Sequence, residues 1–464
     1  MNSIDDTIAA IATPIGEGGI SVVRVSGDKA IEVIDKCFRG TKSLRSARAQ
    51  TAHFGHFVNL EEEMIDDIVA IVFKAPNSYT AEDVVEISCH GGIYITRSIL
   101  QAILNLGIRH AEPGEFTKRA YLNGRIDLSQ AEAVADLIKS RSEISRRISF
   151  SQIQGRLSNK VNEIKGKLLN FSSLIELELD FADEGIEFTN KDKLAKELTS
   201  IIHDLTSLKE SFNAGRIFRD GVKIVLVGKP NVGKSSIFNS LLSTDRAIVT
   251  EVPGTTRDTI EENLVIDGLL FKIVDTAGLR ESNNIVEVAG LKRTEREIES
   301  ADLIVFVVAA NDNSFEADEI IFKKMLNHTN NKKKIIIAIN KIDLVKRDAY
   351  DIPIKIVAFP NVKISAITRE GFPILRKAMV DIMTNGKNLI SEKSPTIIND
   401  RHYNCVKKAI KNLNFANTGL MENKSNEFIA IDLRAAMDNL SEITGTITTD
   451  EILNNIFSKF CIGK

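Results

Sequence analysis

Gly228-Lys229-Pro230-Asn231-Val232-Gly233-Lys234-Ser235 decides how the middle of this chain folds. It follows the apolar run Val222 to Val227 and precedes a helical stretch, the context in which such a loop binds phosphate. Glycines let backbone N–H groups approach phosphate oxygens. Lys234 brings a point charge to the terminal phosphates, and Ser235 offers its hydroxyl to Mg²⁺. Gly228, Asn231, Val232, Gly233, Lys234, Ser235 and Ser236 are the phosphate-side candidates, with Lys234 also a catalytic one.

Outward from this loop, Leu270 to Val274, Leu303 to Val308 and Lys334 to Ile339 are continuous apolar runs, as expected of parallel strands buried on both faces. Asp275-Thr276-Ala277-Gly278 follows the first run. Its carboxylate suits a water-bridged Mg²⁺, and Gly278 suits the terminal phosphate. Asn340-Lys341-Ile342-Asp343 follows the third. The Asp343 carboxylate can accept from guanine N1–H and the exocyclic amine, an edge adenine lacks. Ser365-Ala366 lies where a backbone amide reaches guanine O6, and Gly254-Thr255-Thr256-Arg257-Asp258 offers a threonine to Mg²⁺. Together these motifs predict a GTP-hydrolysing domain with a mostly parallel sheet.

One position departs from the Ras-like pattern. The residue after Gly278 is Leu279, where a glutamine would orient the attacking water. Asn231, with carbonyls of Thr250-Glu251-Val252-Pro253, can instead hold K⁺ and supply positive charge at the phosphates. Asn231 fits a loop-stabilising amide equally well. Glu281 and Glu287 fit either water positioning or solvated surface charge.

The flanks have other textures. Residues 1–123 mix short β-rich runs (Ile20 to Val25, Asp67 to Phe73, Val84 to Ile87) with a helical stretch from Tyr94 to Leu106, an α+β domain. Residues 124–215 read as helical. Ser129-Gln130-Ala131-Glu132 has the spacing of a capping box, and Ile153, Leu157, Val161, Ile164 and Leu168 form one stripe of a long helix. Residues 389–464 are helical again, so the nucleotide domain, 216–388, reads as an insertion into a helical bundle.

Composition narrows the classes. The net charge of −3 excludes nucleic-acid binding by bulk positive charge. Cys37, Cys89, Cys405 and Cys461 have neither metal-ligand nor disulfide-framework spacing, which fits a reducing compartment. The acidic start, Met1 to Asp6, argues against a secretory or transit leader, and apolar runs are too short to span a membrane. A cytoplasmic protein is expected.

The whole chain resembles the MnmE (TrmE) family of bacterial tRNA-modification GTPases. The resemblance is carried by Ala12-Thr13-Pro14 with Gly18-Gly19, by Pro76-Asn77-Ser78-Tyr79-Thr80-Ala81-Glu82-Asp83 and by Pro113-Gly114-Glu115-Phe116. Leu128-Ser129-Gln130-Ala131-Glu132-Ala133, the nucleotide motifs and the terminal Cys461-Ile462-Gly463-Lys464 complete it. It implies an N-terminal dimerisation and folate-binding domain, a helical domain and an inserted G domain. It implies a homodimer that joins the flavoprotein MnmG in a heterotetramer or larger complex. The activity implied is addition of an aminomethyl-type group at C5 of the wobble uridine of certain tRNAs. The cofactors implied are GTP, Mg²⁺, K⁺ and 5-formyltetrahydrofolate or a related derivative. By the same resemblance, K⁺ ligands map onto Asn231, Thr250, Val252 and Thr255, and Mg²⁺ ligands onto Ser235 and Thr256. The water-orienting glutamate maps onto Glu287, and Ala277 lies in the nucleotide-binding set. Folate contacts map onto Arg24, Glu86, Arg125 and Lys464. Some relatives carry lysine at position 125, and arginine keeps the charge without the geometry. Without the resemblance, Arg24 and Glu86 read as an ordinary salt bridge. Cys461 reads as a reactive thiol or a packed small side chain.

Two other classes compete: a ribosome-assembly GTPase with a similar G domain, and a folate enzyme that uses GTP as a signal. Arg141, Arg146 and Arg147, or Lys407, Lys408 and Lys411, are candidates for an RNA face or for a solvated one.

Overall fold

The computed structural model describes residues 6–180, 191–245, 261–274, 295–312, 314–329, 334–345, 353, 356, 358–384 and 396–464. The chain divides into two compact units. One comprises Met1–Ala135, Gln152–Ala195 and Lys411–Lys464; the other comprises Asp136–Ser151 and Lys196–Ile410.

In the first unit, period-two burial builds a sheet from β1 (Ile8–Ile11), β2 (Gly18–Ser26), β3 (Phe38–Gly40), β4 (Thr51–Val58), β5 (Met64–Phe73), β6 (Val84–Gly91) and β7 (Arg109–His110). The order is β3-β4-β5-β6-β2-β1-β7, and β7 pairs parallel with β1. Val23, Val25, Val85 and Ile87 point into the core formed with the helices Ala30–Cys37 and Ile93–Asn105. Alternation sends Arg24 and Glu86 to the opposite face, and the antiparallel register sets them directly across from each other.

Charges fasten this domain together. Arg119 is buried and pairs with Asp6 at 2.5 Å, Glu115 at 3.1 Å and Glu82 at 3.2 Å. Arg109 bridges Asp6 at 2.6 Å and Glu115 at 2.5 Å. Burial opposes ionisation of Glu115, yet Arg109 and Arg119 hold its carboxyl below the usual range. A carboxyl lowered in the folded state stabilises the fold above its unfolded pKa; that stabilisation is lost as pH falls through the folded pKa. The melting temperature is therefore expected to drop on acidification through the carboxylate range, and Glu115→Gln to show a shallower dependence. Parallel slopes for wild type and variant in a calorimetric pH series would refute this role.

Two helical expectations need correction. The capping box lies two residues earlier than the sequence spacing suggests. Asp127 Oδ1 accepts from Gln130 N–H at 3.0 Å, and Gln130 Oε1 accepts from Asp127 N–H at 2.9 Å. Ser129 is fully buried, donates to Asp127 and meets the Ser158 hydroxyl at 2.9 Å. The long stripe is also broken. Glu143–Ile153 ends at Ile153, Gly155 takes φ +78, and Arg156–Asp180 carries Leu157, Val161, Ile164 and Leu168 inward. Arg156–Asp180 packs along Asn426–Thr444.

The second unit holds β8 (Val222–Val227), β9 (Glu261–Ile266), β10 (Leu269–Val274), β11 (Leu303–Ala309), β12 (Lys334–Asn340) and β13 (Asn361–Lys363). Their order is β13-β12-β11-β8-β10-β9, parallel except for β9. All of β11 is buried, as the apolar run requires. One face packs on Ile237, Leu241, Leu375 and Met379, the other on Phe322 and Met325. Chain order reverses around β8, whose neighbours are β10 and β11. Parallel sheets bind ligands beyond the strand ends at such a switch point.

Candidate functional sites

The loop 228–233 leaves β8 at that point and enters the helix Lys234–Asp245. Asn231 takes φ +62, a conformation asparagine tolerates, and its side chain is exposed. Gly233 takes φ +97. Ser235 and Ser236 are exposed on the first turn. Lys234 Nζ donates to the Gly228 carbonyl at 3.0 Å and the Lys229 carbonyl at 2.8 Å, so its ammonium is folded over the loop.

Asn340 joins the base-side and phosphate-side motifs. It is buried, its Nδ2 donates to the Val232 carbonyl at 2.8 Å, and its Oδ1 accepts from the Ala366 N–H at 3.0 Å. The Ala366 carbonyl in turn accepts from Ser240 at 3.1 Å. A single amide thus ties the phosphate loop to the Ser365-Ala366 turn. Residues more than a hundred apart meet here, so spacing alone did not reveal it. Lys341, at φ +65, turns the chain so that Asp343 lies exposed on the short turn Ile342–Leu344. Ser365 is buried, and its hydroxyl accepts from the Thr368 N–H at 3.1 Å. Thr250, Val252, Thr255, Thr256, Asp275, Thr276, Ala277, Gly278 and Glu287 lie outside the described residues.

A second cluster forms in the first unit. Arg24 Nε donates to Glu86 at 2.9 Å, its Nη1 donates to the Gly463 carbonyl at 3.3 Å, and its guanidinium lies 5.3 Å from the Tyr79 ring and 5.5 Å from the Phe116 ring. Arg125 donates to the Ser78 carbonyl and sits 5.6 Å from the same Tyr79 ring. The C-terminal tail reaches this place because Gly463, at φ +91, passes so close to the Ile11 carbonyl that a Cβ would approach it to 2.2 Å. Lys464 follows directly. The motifs that carry Tyr79 and Phe116 are legible in the sequence, but the cation–aromatic contact they make between distant segments is not. Cys461 is exposed, so the packed reading of this thiol fails, whereas Cys37, Cys89 and Cys405 are buried. Arg146 and Arg147 both pair with Glu143 at 2.7 Å, which fits a solvated helix face. Among the described residues no His, Cys, Asp or Glu cluster is arranged to hold a metal ion.

A central strand, phosphate loop and helix, with an Asn-Lys-x-Asp turn moored to that loop, define a P-loop guanine-nucleotide-binding domain. Residues 128–461 match the MnmE helical domain, and residues 7–125 match the N-terminus of the GTP-binding protein TrmE. The tRNA modification GTPase MnmE of Carboxydothermus hydrogenoformans is 43% identical across 99% of this chain and 100% of its own length. That of Clostridioides difficile is 41% identical, again over 99% and 100%. The chain belongs to the MnmE family. Among solved structures, the G domain of the Thermotoga maritima FeoB iron transporter is 27% identical over 35% of this chain and 98% of that one, with a TM-score of 0.27.

Proposed function

We propose that this chain hydrolyses GTP in the service of tRNA modification. The observation that supports the nucleotide half is the Asn340 bridge between the Val232 and Ala366 backbones. The tRNA half rests on relatives of matching length that bear that name. The same relatives disfavour the ribosome-assembly alternative. Among the described residues no helix is long and apolar enough to cross a membrane.

In this reading Asp343 accepts from the guanine edge, and loop amides with Lys234 take the phosphates. Exposed hydroxyl and amide oxygens at Ser235 and Asn231 suit hard cations. Ser235 and Thr256 would hold Mg²⁺, and Asn231 with Thr250, Val252 and Thr255 would hold K⁺; both ions supply positive charge where phosphoryl transfer builds negative charge. Glu287 would orient the attacking water, a role Leu279 has no polar group to fill. GTP turnover is expected to be about a hundredfold faster in K⁺ than in Na⁺, the lower end of what one transition-state charge contact contributes. Equal rates would remove Asn231 from the cation shell.

Arg24, Arg125 and Lys464 suit an acidic tail, Glu86 suits the donors of a pterin-type ring, and Tyr79 adds an aromatic wall. This donor set fits a tetrahydrofolate such as the 5-formyl form, with Cys461 exposed on the adjoining tail. The family resemblance supports a homodimer acting with the flavoprotein MnmG, in the cytoplasm, on the wobble uridine C5.

The deciding experiment is nucleoside mass spectrometry of tRNA from cells depleted of this protein. Loss of the modified wobble uridine, restored by wild type and not by Lys234→Ala, is expected. An unchanged nucleoside profile would overturn the assignment.

A further inference from the structure

Asp318 is a fully buried carboxylate, 0% exposed, on the first turn of the helix Glu316–Asn327. A charge in that position requires a counterion. The ammonium beside it comes from the phosphate loop. Lys229 Nζ lies 2.9 Å from Asp318 and 2.7 Å from Asp312, and it donates to the Ser314 carbonyl at 3.3 Å. The nucleotide reading gives this side chain no work. Yet the Lys229 main chain belongs to the cradle, since its carbonyl accepts from Lys234 Nζ at 2.8 Å. One residue therefore holds the phosphate-binding lysine through its backbone while its own side chain is fastened to a buried acid. The loop's other end is moored by Asn340 at the Val232 carbonyl.

We propose that Lys229 is a positioning residue. Its strap to Asp312 and Asp318 fixes the first half of the phosphate loop, so that the loop amides and Lys234 meet the phosphates without first becoming ordered. This rests on the guanine-nucleotide reading of the loop. A site fixed before binding spends less of its interaction energy on ordering.

A bare electrostatic role for Lys229 predicts the opposite sign for one variant. Asp318→Asn removes a negative charge near the phosphates, so simple attraction would tighten nucleotide binding. Loosening the strap weakens it. The test is titration of fluorescent mant-GDP into the full-length chain, with steady-state GTP turnover alongside. Lys229→Met and Asp318→Asn are each expected to weaken mant-GDP binding about tenfold and raise KM, with kcat within about twofold of wild type. Lys229→Arg, which keeps the ion pairs, is expected to restore affinity to within about threefold. The double variant should bind no worse than Lys229→Met, because both changes cut one strap. Should Asp318→Asn fail to fold, Asp312→Asn on the more exposed rim gives the same readout with a smaller loss.

Unchanged affinity in Lys229→Met, with only a lower melting temperature, would overturn the strap. So would tighter binding by Asp318→Asn or Asp312→Asn. A wild-type chain that binds no mant-GDP would overturn the guanine-nucleotide reading and the strap together; wild-type binding matched by every variant would overturn the strap alone.

Discussion

Gly233→Ala is expected to abolish measurable guanine-nucleotide binding while leaving helix content intact. Gly233 has φ +97, where a Cβ costs about 1–2 kcal/mol in backbone strain. The added carbon would also lie 2.2 Å from Asn340 Nδ2. Asn340 cannot simply swing aside. It is 1% exposed, and it holds the Val232 carbonyl with one end and the Ala366 N–H with the other. Its displacement leaves buried polar groups unpaired, at about 1–3 kcal/mol each. Strain and lost hydrogen bonds together predict a fall in affinity of at least about a hundredfold. Mant-GDP titration beside circular dichroism checks this. Binding within threefold of wild type would show that the loop accommodates the methyl and that the Asn340 bridge is dispensable.

Asp343→Asn is expected to reverse base preference. Two hydrogen bonds from guanine to a carboxylate are each worth about 1.5–3 kcal/mol, so their loss predicts at least roughly a hundredfold weaker GTP binding. The asparagine amide offers a donor where xanthine carries a carbonyl, so xanthosine triphosphate should bind the variant better than GTP. Asp343 is exposed on its turn, which leaves little structural reason for the substitution to unfold the domain. A competition assay with both triphosphates decides the matter; retained GTP preference would remove Asp343 from base recognition. The two variants fail in different ways, one in the cradle and one at the base, so they test the two halves of the site separately.

Legibility differed sharply along the chain. The strand runs around the phosphate loop appeared where their apolar stretches lie, because a strand buried on both faces must be apolar throughout. The helix starting at Leu128 was readable, yet its cap was not. Ser129 and Asp127 are both good capping residues, and only the reciprocal Asp127–Gln130 hydrogen bonds, with Ser129 buried against Ser158, show which one caps the helix. The stripe from Ile153 to Leu168 continued across Gly155 in sequence, because apolar spacing does not register a left-handed residue.

By itself the sequence determined the order of the nucleotide motifs, the strand-loop-helix that carries phosphate chemistry, and the apolar departure at Leu279. These depend on spacing within a few residues, where backbone geometry is nearly dictated by residue type. Only the tertiary structure decided which distant groups meet. Pairing of β2 with β6 set Arg24 across from Glu86. The parallel arrangement of β8, β11 and β12 brought Asn340 to the phosphate loop, and Lys229 met an acid buried beyond β11. Strand order and register arise from burying whole faces against one another, a property of the packed ensemble that no local run of residues carries.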